Sequence, residues 1–186
     1  MRRVTCSMGV SLDGYIAGPD GGFAWSVPDA ELFRFATEEV RQLGVHLLGR
    51  RLYETMRYWE NVDQVSLSDL EREFARLWIA LPKVVLSRSL TSVQDGYELA
   101  RGTLADEVAR WRAEPGDGAI AIGGAGLLAE AATLGLVDEY RLRIHPVLVG
   151  GGTPFFPRAE RREDLELLDS RTFDHGVVHL RYRVSR

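Results

Sequence analysis

The chain has little cysteine, no excess of positive charge and no long hydrophobic run. Its single cysteine, Cys6, has no partner for an internal disulfide, which fits a reducing compartment. The formal net charge of −4 argues against a general nucleic-acid or membrane-surface role, since either favours a basic excess. The apolar stretch behind Met1 is broken at Ser11 and Asp13, too soon for a signal peptide, and no run approaches a membrane span. We therefore expect a cytoplasmic protein that binds neither nucleic acid nor membrane.

Several catalytic signatures are absent as well. The sequence has no G-x-S-x-G nucleophile elbow and no P-loop, so hydrolase and kinase activities lack support. Its histidines show no metal-ligand spacing with one another or with Cys6; they are His46, His145, His175 and His179. We therefore expect no metal site.

What the chain does have is the composition of one globular domain. With 186 residues, 45% of them hydrophobic and 27% charged, we expect a single domain over residues 1–186. Apolar runs predict buried strands at residues 4–10, 45–48, 83–86 and 119–122. Helical spacing of apolar residues predicts an amphipathic helix from Pro28 to Leu43, and a capping-box pattern at Ser68 begins another that ends at Pro82. Strands that alternate with helices favour a parallel sheet.

The pattern changes toward the C-terminus. Apolar and polar residues alternate over residues 140–145 and again over residues 178–184, which is typical of half-buried antiparallel strands. We therefore expect an α/β fold whose mixed sheet has a mostly parallel core and antiparallel C-terminal strands.

A glycine-rich turn follows the apolar run at residues 119–122. It reads Gly123, Gly124, Ala125, Gly126 and Leu127, and a helix resumes there. Glycines allow positive φ and close approach of a ligand, while the first N–H groups of a helix point toward an anion, so the turn predicts a nucleotide phosphate site. Tight packing between strand and helix is the alternative explanation. A Rossmann site is disfavoured, because the motif lies late in the chain and lacks an acidic residue about 20 positions further on.

Two other strand ends carry residues suited to phosphate. They are Gly49, Arg50 and Arg51 after one strand, and Leu86, Ser87 and Arg88 at the end of another. Ligands of open α/β sheets lie outside the carboxyl ends of the strands, so these ends and the glycine turn can converge on one ligand. Guanidinium groups and a hydroxyl suit an adenine dinucleotide with a 2′-phosphate, although a solvated surface role is the alternative for each arginine.

Acidic and aromatic residues are the candidates for substrate contact. Asp13 follows the first strand, and Asp29 and Glu31 open the helix near Pro28, where acids also complement the helix dipole. Trp25, Tyr53, Tyr58 and Trp59 are candidates to stack on a planar heterocycle, with core packing as the alternative.

Together these motifs resemble the dihydrofolate reductase superfamily, in particular the branch of the reductase domain of the bifunctional riboflavin-pathway deaminase/reductase. The resemblance covers nearly the whole chain in five motifs, at residues 11–17, 48–54, 85–88, 122–126 and 145–156. It implies a three-layer α/β/α fold and NADPH as cofactor. It also implies that Ile16 and Ala17 lie near the nicotinamide, and that Gly123 to Leu127 lie under the pyrophosphate.

The resemblance has departures that bear on the substrate. Dihydrofolate reductases carry a carboxylate two residues after the proline that opens this helix, and here that position is Ala30. The arginine-rich sugar-phosphate segment of the riboflavin-type reductases is not clear, and we expect no zinc deaminase domain before residue 1. We expect a stand-alone reductase.

The resulting hypothesis is hydride transfer from NADPH to a C=N or C=O carbon of a small heterocyclic or sugar-imine substrate, as in reduction of 5-amino-6-(5-phosphoribosylamino)uracil. Asp13 and Glu31 are the candidate catalytic residues, and Asp13, Trp25, Glu31 and Tyr53 the candidate substrate contacts. The alternatives are a dihydrofolate or pterin reductase and a non-catalytic NADP-binding protein. A homodimer is expected, with residues 150–156 as a contact, unless Phe155 and Phe156 fold back onto the sheet.

Overall fold

The structure, a computed structural model, describes residues 1–156 and 162–185. Its strands are β1 (Val4–Ser11), β2 (Tyr15–Ala17), β3 (Leu43–Gly49), β4 (Lys83–Leu86), β5 (Glu98–Leu99), β6 (Ala119–Gly123), β7 (Glu139–His145), β8 (Thr153–Pro154), β9 (Leu165–Thr172) and β10 (Val178–Val184). Its α-helices are α1 (Ala30–Arg41), α2 (Arg50–Met56), α3 (Tyr58–Asn61), α4 (Asp69–Ala80), α5 (Leu104–Ala113) and α6 (Ala125–Thr133). Short 3₁₀ turns lie at Ala24–Ser26, Gln64–Ser66 and Asp174–Gly176.

The helices α1 and α4 begin where a polar side chain accepts from one of their free N–H groups. Asp29 caps α1 by accepting from the Leu32 N–H, and Ser68 and Glu71 form the predicted capping box of α4. The helix predicted from Pro28 to Leu43 is shorter than expected, because Leu43 opens β3 instead. Leu43 continues the apolar spacing of the helix, but it is the first residue of the strand that follows, two residues beyond the helix end.

Eight strands form one sheet in the order β5-β4-β3-β6-β1-β7-β10-β9. Neighbours from β5 to β7 are parallel, whereas β10 runs antiparallel to both β7 and β9. The predicted mixed sheet with a mostly parallel core and antiparallel C-terminal strands is confirmed. The strands β2 and β8 pair antiparallel and form a separate two-stranded sheet.

Alternate residues of the central strands pack on opposite faces of the sheet. Leu47 and Val84 belong to the main core with residues of α5 and α6, while Leu48 and Val85 pack with residues of α4 and α1. Helices therefore cover both faces, as the predicted three-layer α/β/α arrangement requires. A third cluster joins Leu32 of α1 to the turn between β9 and β10.

Candidate active site

The carboxyl ends of five parallel strands meet at one edge of the sheet. The residues at or just after these ends are Asp13 after β1, Arg50 after β3, Ser87 and Arg88 after β4, Gly124 after β6 and His145 at the end of β7. Because β4, β3, β6, β1 and β7 are successive neighbours, these residues follow one another along the edge. The three predicted strand ends therefore lie side by side, and their convergence on one ligand stays a prediction.

Tight packing accounts for one glycine of the turn, and the phosphate site stays a prediction for the others. A Cβ at Gly123 would lie 2.3 Å from Leu52 Cδ2 and 2.7 Å from His46 Nε2, so this glycine allows tight packing against α2 and β3. Gly124 is the N-cap of α6 at a φ of 102°, a backbone conformation that glycine adopts without strain. By contrast, a Cβ at Gly126 would meet no atom within 4 Å, so the first turn of α6 faces open space. Open space beside helix N–H groups suits an anionic ligand.

Arg50 connects two of the predicted strand ends. Its Nε donates to Glu54 Oε1 at 2.7 Å, and its Nη1 donates across to Ser89 Oγ at 2.9 Å. These bonds use two of the five guanidinium donors, and the side chain remains about half exposed. Ser87 Oγ accepts from the N–H groups of Ser89 and Leu90, both at 3.2 Å, which shapes the loop after β4. Arg51 and Arg88 are exposed at the same edge.

Asp13 anchors a second glycine-rich loop. Its Oδ1 accepts from the Val149 N–H at 3.2 Å and its Oδ2 accepts from the Gly150 N–H at 2.8 Å. Hydrogen bonding from the Ser11 hydroxyl, together with these backbone bonds, holds the pKa of Asp13 below its ordinary value. A carboxylate with this pKa is ionised at neutral pH, so Asp13 is a poor proton donor and a good loop anchor. A direct contact with substrate stays a prediction.

The loop that Asp13 holds lies against β2. Gly150, Gly151 and Gly152 all have positive φ, and a Cβ at Gly152 would lie 2.2 Å from the Ala17 carbonyl oxygen. Ala17 pairs with Thr153 in the β2–β8 ladder, and Ile16 packs against the main core. The segment expected near the nicotinamide is thus fixed between the end of β1 and the glycine loop.

The two acids at the start of α1 have different partners. Asp29 is the N-cap, so the capping alternative accounts for it. Glu31 Oε1 accepts from Arg171 Nη2 of β9 at 2.6 Å, and both side chains are partly exposed. The Arg171 guanidinium also lies 4.6 Å from the centre of the Phe173 ring, which fixes it against the β9–β10 turn.

The four aromatic candidates separate into Trp25 beside the end of β7, two core residues and one exposed residue. The rings of Trp25 and His145 lie edge to face with centres 5.6 Å apart. Tyr53 is only 4% exposed and its hydroxyl accepts from the Gln94 N–H at 2.9 Å, so its ring has no face left for a substrate. This burial favours the core-packing alternative for Tyr53, and its substrate contact stays a prediction. Trp59 packs likewise against Phe74, whereas Tyr58 is exposed.

The sequence reasoning missed a buried polar face beneath α1. Side chains from β7 and β10 that were expected on a solvated face are covered: Arg141, His145 and His179 are 7%, 5% and 2% exposed. Burial, with a smaller effect of Arg143, holds the pKa of His145 below its ordinary value. Glu31, Phe35 and Glu39 recur every four residues along α1, and pairing this stripe with the polar side of the C-terminal strands would have located the face.

One of the two phenylalanines expected in a dimer contact is buried in the protein's own core. Phe155 is 1% exposed within the main core, so the fold-back alternative holds for it, while Phe156 is 44% exposed beside Tyr140. The homodimer stays a prediction.

In the described ranges 1–156 and 162–185, no helix has the length and apolar character needed to cross a membrane. The same ranges contain no cluster of three or more His, Cys, Asp or Glu side chains suited to a metal ion.

Comparison with known proteins gives one family. The model of the RibD C-terminal domain matches residues 2–179. Protein YyaP of Bacillus subtilis (strain 168), whose function is uncharacterized, is 32% identical over 181 residues, covering 97% of this chain and 94% of that protein.

Two solved structures share the fold at lower sequence identity. A Shewanella sp. PV-4 protein provisionally assigned to riboflavin biosynthesis has 24% identity and a TM-score of 0.78, with 99% of each chain covered. Dihydrofolate reductase from Enterococcus faecalis, solved with NADP(H), has 17% identity and a TM-score of 0.66, covering 99% of this chain and 97% of that one.

Proposed function

The chain belongs to the RibD C-terminal domain family, and from that premise we propose that it is an NADPH-dependent reductase of a small heterocyclic or sugar-imine substrate. The observation that carries the proposal is the meeting of Arg50, Ser87 and the open first turn of α6 at one sheet edge. These groups combine guanidinium, hydroxyl and backbone donors, which is the chemistry that a phosphorylated dinucleotide requires. The related fold of the Enterococcus faecalis enzyme was solved with NADP(H), which supports the same assignment.

The residues present fit NADPH at both of its phosphate groups. Beside Gly126 the backbone is open to a pyrophosphate, since no atom lies within 4 Å of a Cβ placed there. Arg50 and Arg88 follow the ends of β3 and β4, where they would hold the 2′-phosphate, and Ser87 directly precedes Arg88. When bound, NADPH supplies the hydride.

The protein's part in the reaction is to orient the substrate and deliver a proton. Asp13 fixes the glycine loop beside β2, which sets the position of Ile16 and Ala17. Trp25 is partly exposed and is held by its edge-to-face contact with the buried His145 at the end of β7, so its ring is the surface proposed for a planar substrate ring. Glu31 is the carboxylate proposed to relay a proton from solvent to the substrate through water, because it is partly exposed at the start of α1 and Arg171 orients it.

The proposed acceptor is a C=N or C=O carbon of the substrate. Ala30 opens α1 where dihydrofolate reductases carry a carboxylate, so folate or pterin reduction ranks as the alternative. Purified protein mixed with NADPH and a panel of aminouracil, pteridine and carbonyl compounds tests this, with NADPH oxidation followed by absorbance. Stoichiometric NADPH binding with no oxidation across the panel would favour a non-catalytic binding protein.

The 2′-phosphate assignment has its own test. Arg50→Ala is expected to weaken NADPH binding about 10- to 100-fold, the range for a lost charge-assisted bond, and to leave NADH binding nearly unchanged. Arg183→Ala is the matched control, since Arg183 is equally exposed and paired with one carboxylate but lies at the opposite end of the sheet. An equal loss for both cofactors in the Arg50 variant would remove the assignment.

A further inference from the structure

A cavity of about 370 Å³ lies at the end of the sheet opposite the proposed cofactor site. Its wall is formed by the segment before β1, the start of β7 and the end of β10, at the edge where the parallel strands begin. The polar residues of its lining are Arg2, Arg3, Asp138, Glu139 and Arg183. A volume of this size is within the range of small-molecule sites, about 300–1,000 Å³. None of these residues has a part in the function proposed above, so the cavity is a second candidate site.

The two acids of this cavity are already bonded within the protein. Glu139 accepts four hydrogen bonds from three arginines. Asp138 Oδ2 accepts from the Val4 N–H and from Arg112 Nη2, both at 2.8 Å. Arginines therefore neutralise both carboxylates, and a cation would have to compete with guanidinium groups for either of them.

Two arginines of the lining have most of their donors unused. Arg3 Nη1 donates to Glu139 Oε1 at 2.6 Å, and Arg183 Nη1 donates to Glu166 Oε2 at 3.3 Å. Within the described ranges these are the only hydrogen bonds of the two guanidinium groups, each of which has five N–H donors. Arg183 lies opposite Glu139 in the β7–β10 ladder and Arg3 is bonded to Glu139, so both side chains flank the same carboxylate. Both therefore present free donors to one open cavity.

Positive charge exceeds negative charge around this cavity, although the whole chain has a formal net charge of −4. Among the described residues, the charged lining and the charged groups that it hydrogen-bonds comprise six arginines and three carboxylates: Arg2, Arg3, Arg112, Arg141, Arg181, Arg183, Asp138, Glu139 and Glu166. An excess of guanidinium groups favours an anion, and the planar fork of an arginine matches two oxygens of a phosphate group.

We propose that this cavity binds a phosphate group between Arg3 and Arg183, either as inorganic phosphate or as the phosphomonoester of a small polar molecule. The site is independent of the proposed reductase function, since it lies at the amino ends of the parallel strands and the cofactor residues follow their carboxyl ends. Arg3 precedes β1 and Arg183 lies on β10, so the bound phosphate joins the N-terminal segment to a C-terminal strand. A ligand held in this way stabilises the folded state.

Calorimetric titration at constant ionic strength tests the proposal with three probes: inorganic phosphate, glucose 6-phosphate and glucose. Phosphate and glucose 6-phosphate are expected to bind with dissociation constants of about 1 mM or lower, and glucose is not expected to bind. Tenfold tighter binding of glucose 6-phosphate than of phosphate would identify a phosphomonoester as the ligand, whereas equal affinities would identify phosphate itself. Absence of binding by both phosphate probes would mean that the arginines are only solvated, and overturns the proposal.

Substitutions then locate the bound phosphate. Arg183→Gln is expected to weaken binding of both phosphate probes about 10- to 100-fold, the range for a lost charge-assisted bond. This variant should fold normally, because Arg183 pairs only with the exposed Glu166. Arg101→Gln is the matched control, since Arg101 is also exposed and paired with one carboxylate but lies outside the cavity lining. Its affinity should stay within about twofold of the parent.

Arg50→Ala distinguishes this cavity from the proposed cofactor site, where a phosphate group would also find donors. Phosphate binding that persists in Arg50→Ala and is weakened in Arg183→Gln supports the second site. Binding that is lost in Arg50→Ala and unchanged in Arg183→Gln would place the phosphate at the cofactor residues, and contradicts the proposal. NADPH oxidation without phosphate binding to the cavity contradicts only this inference, whereas phosphate binding without any NADPH binding contradicts only the reductase assignment.

Discussion

Glu139 shows how a single residue at the start of β7 holds the N-terminus and the C-terminal strands together. Its carboxylate accepts two bonds from Arg181, at 2.8 and 3.1 Å, one from Arg3 at 2.6 Å and one from Arg141 at 3.2 Å. Burial alone would raise the pKa of Glu139, but these bonds outweigh it and lower the pKa to about 2. The group lies at the end of the sheet opposite the proposed site, so it bears on stability rather than on chemistry.

Glu139→Gln is expected to remove a pH-dependent part of the stability. Because the pKa is lower in the folded state, ionised Glu139 stabilises the fold above the unfolded value of 4.5, and this stability is lost as pH falls toward 2. The difference corresponds to about 3 kcal/mol. Urea denaturation between pH 7 and pH 2 should therefore show a large loss in the variant at pH 7 and convergence with the parent near pH 2.

Glu166→Gln is the matched control for this measurement. Glu166 pairs with Arg183 at 3.3 Å, but both side chains are more than half exposed, so the expected loss is below about 1 kcal/mol. A Glu139 variant whose stability follows the parent at every pH would show that the arginine cluster contributes nothing measurable.

Elements with a buried face were predictable from the sequence, and those without one were not. The helix α4 has a capping box and an apolar stripe, and both were identified. The strand β9 was missed because it lies at the sheet edge, with seven of its eight residues exposed, and therefore carries no alternating pattern. The seven-residue helix α2 was missed because it is too short to show a clear period.

At the start of α6, Gly126 tests the cofactor assignment at the scale of one element. Gly126→Ala is expected to raise the free energy of unfolding by up to about 1 kcal/mol, because alanine favours the helix and the added Cβ meets nothing. The same Cβ would occupy the space assigned to the pyrophosphate, so NADPH affinity should fall by about tenfold or more. Thermal melting and cofactor titration of one variant measure both effects.

The Gly126 result separates two roles for the glycine turn. Greater stability with unchanged NADPH affinity would show that the pyrophosphate lies elsewhere. As a comparison, Gly123→Ala should destabilise the protein through its contacts with Leu52 and His46, whether or not cofactor is bound.

For the whole molecule, the sequence predicted the sheet better than the site. Short apolar strands followed by Gly49, Ser87 and Gly123 indicated parallel strands and their common edge, which the topology confirms. The pairing of Glu39 with Arg143, and the burial of His179 under Phe35, depend on how α1 crosses strands more than 100 residues away in the chain. The stripe on α1 and the alternation of the C-terminal strands are each visible in the sequence, but a single sequence does not say that the two pack together. This buried polar face therefore became visible only in the folded molecule.

Cofactor binding should be visible as a change in the stability of the entire domain. A ligand that binds only the folded state, at 100 times its dissociation constant, stabilises by about 2.7 kcal/mol, which for a domain of this size is roughly 5–10 °C in Tm. NADPH is therefore expected to raise Tm in a single transition, and NADH at the same concentration to raise it by less than half as much, since it lacks the 2′-phosphate that Arg50 would bind. Equal increases in Tm with NADPH and NADH would mean that the site binds a dinucleotide but does not select for the 2′-phosphate. A ligand that binds only the folded state must raise the free energy of unfolding. An unchanged Tm with either cofactor would therefore mean that the open turn of α6 and the arginines beside it do not form a cofactor site.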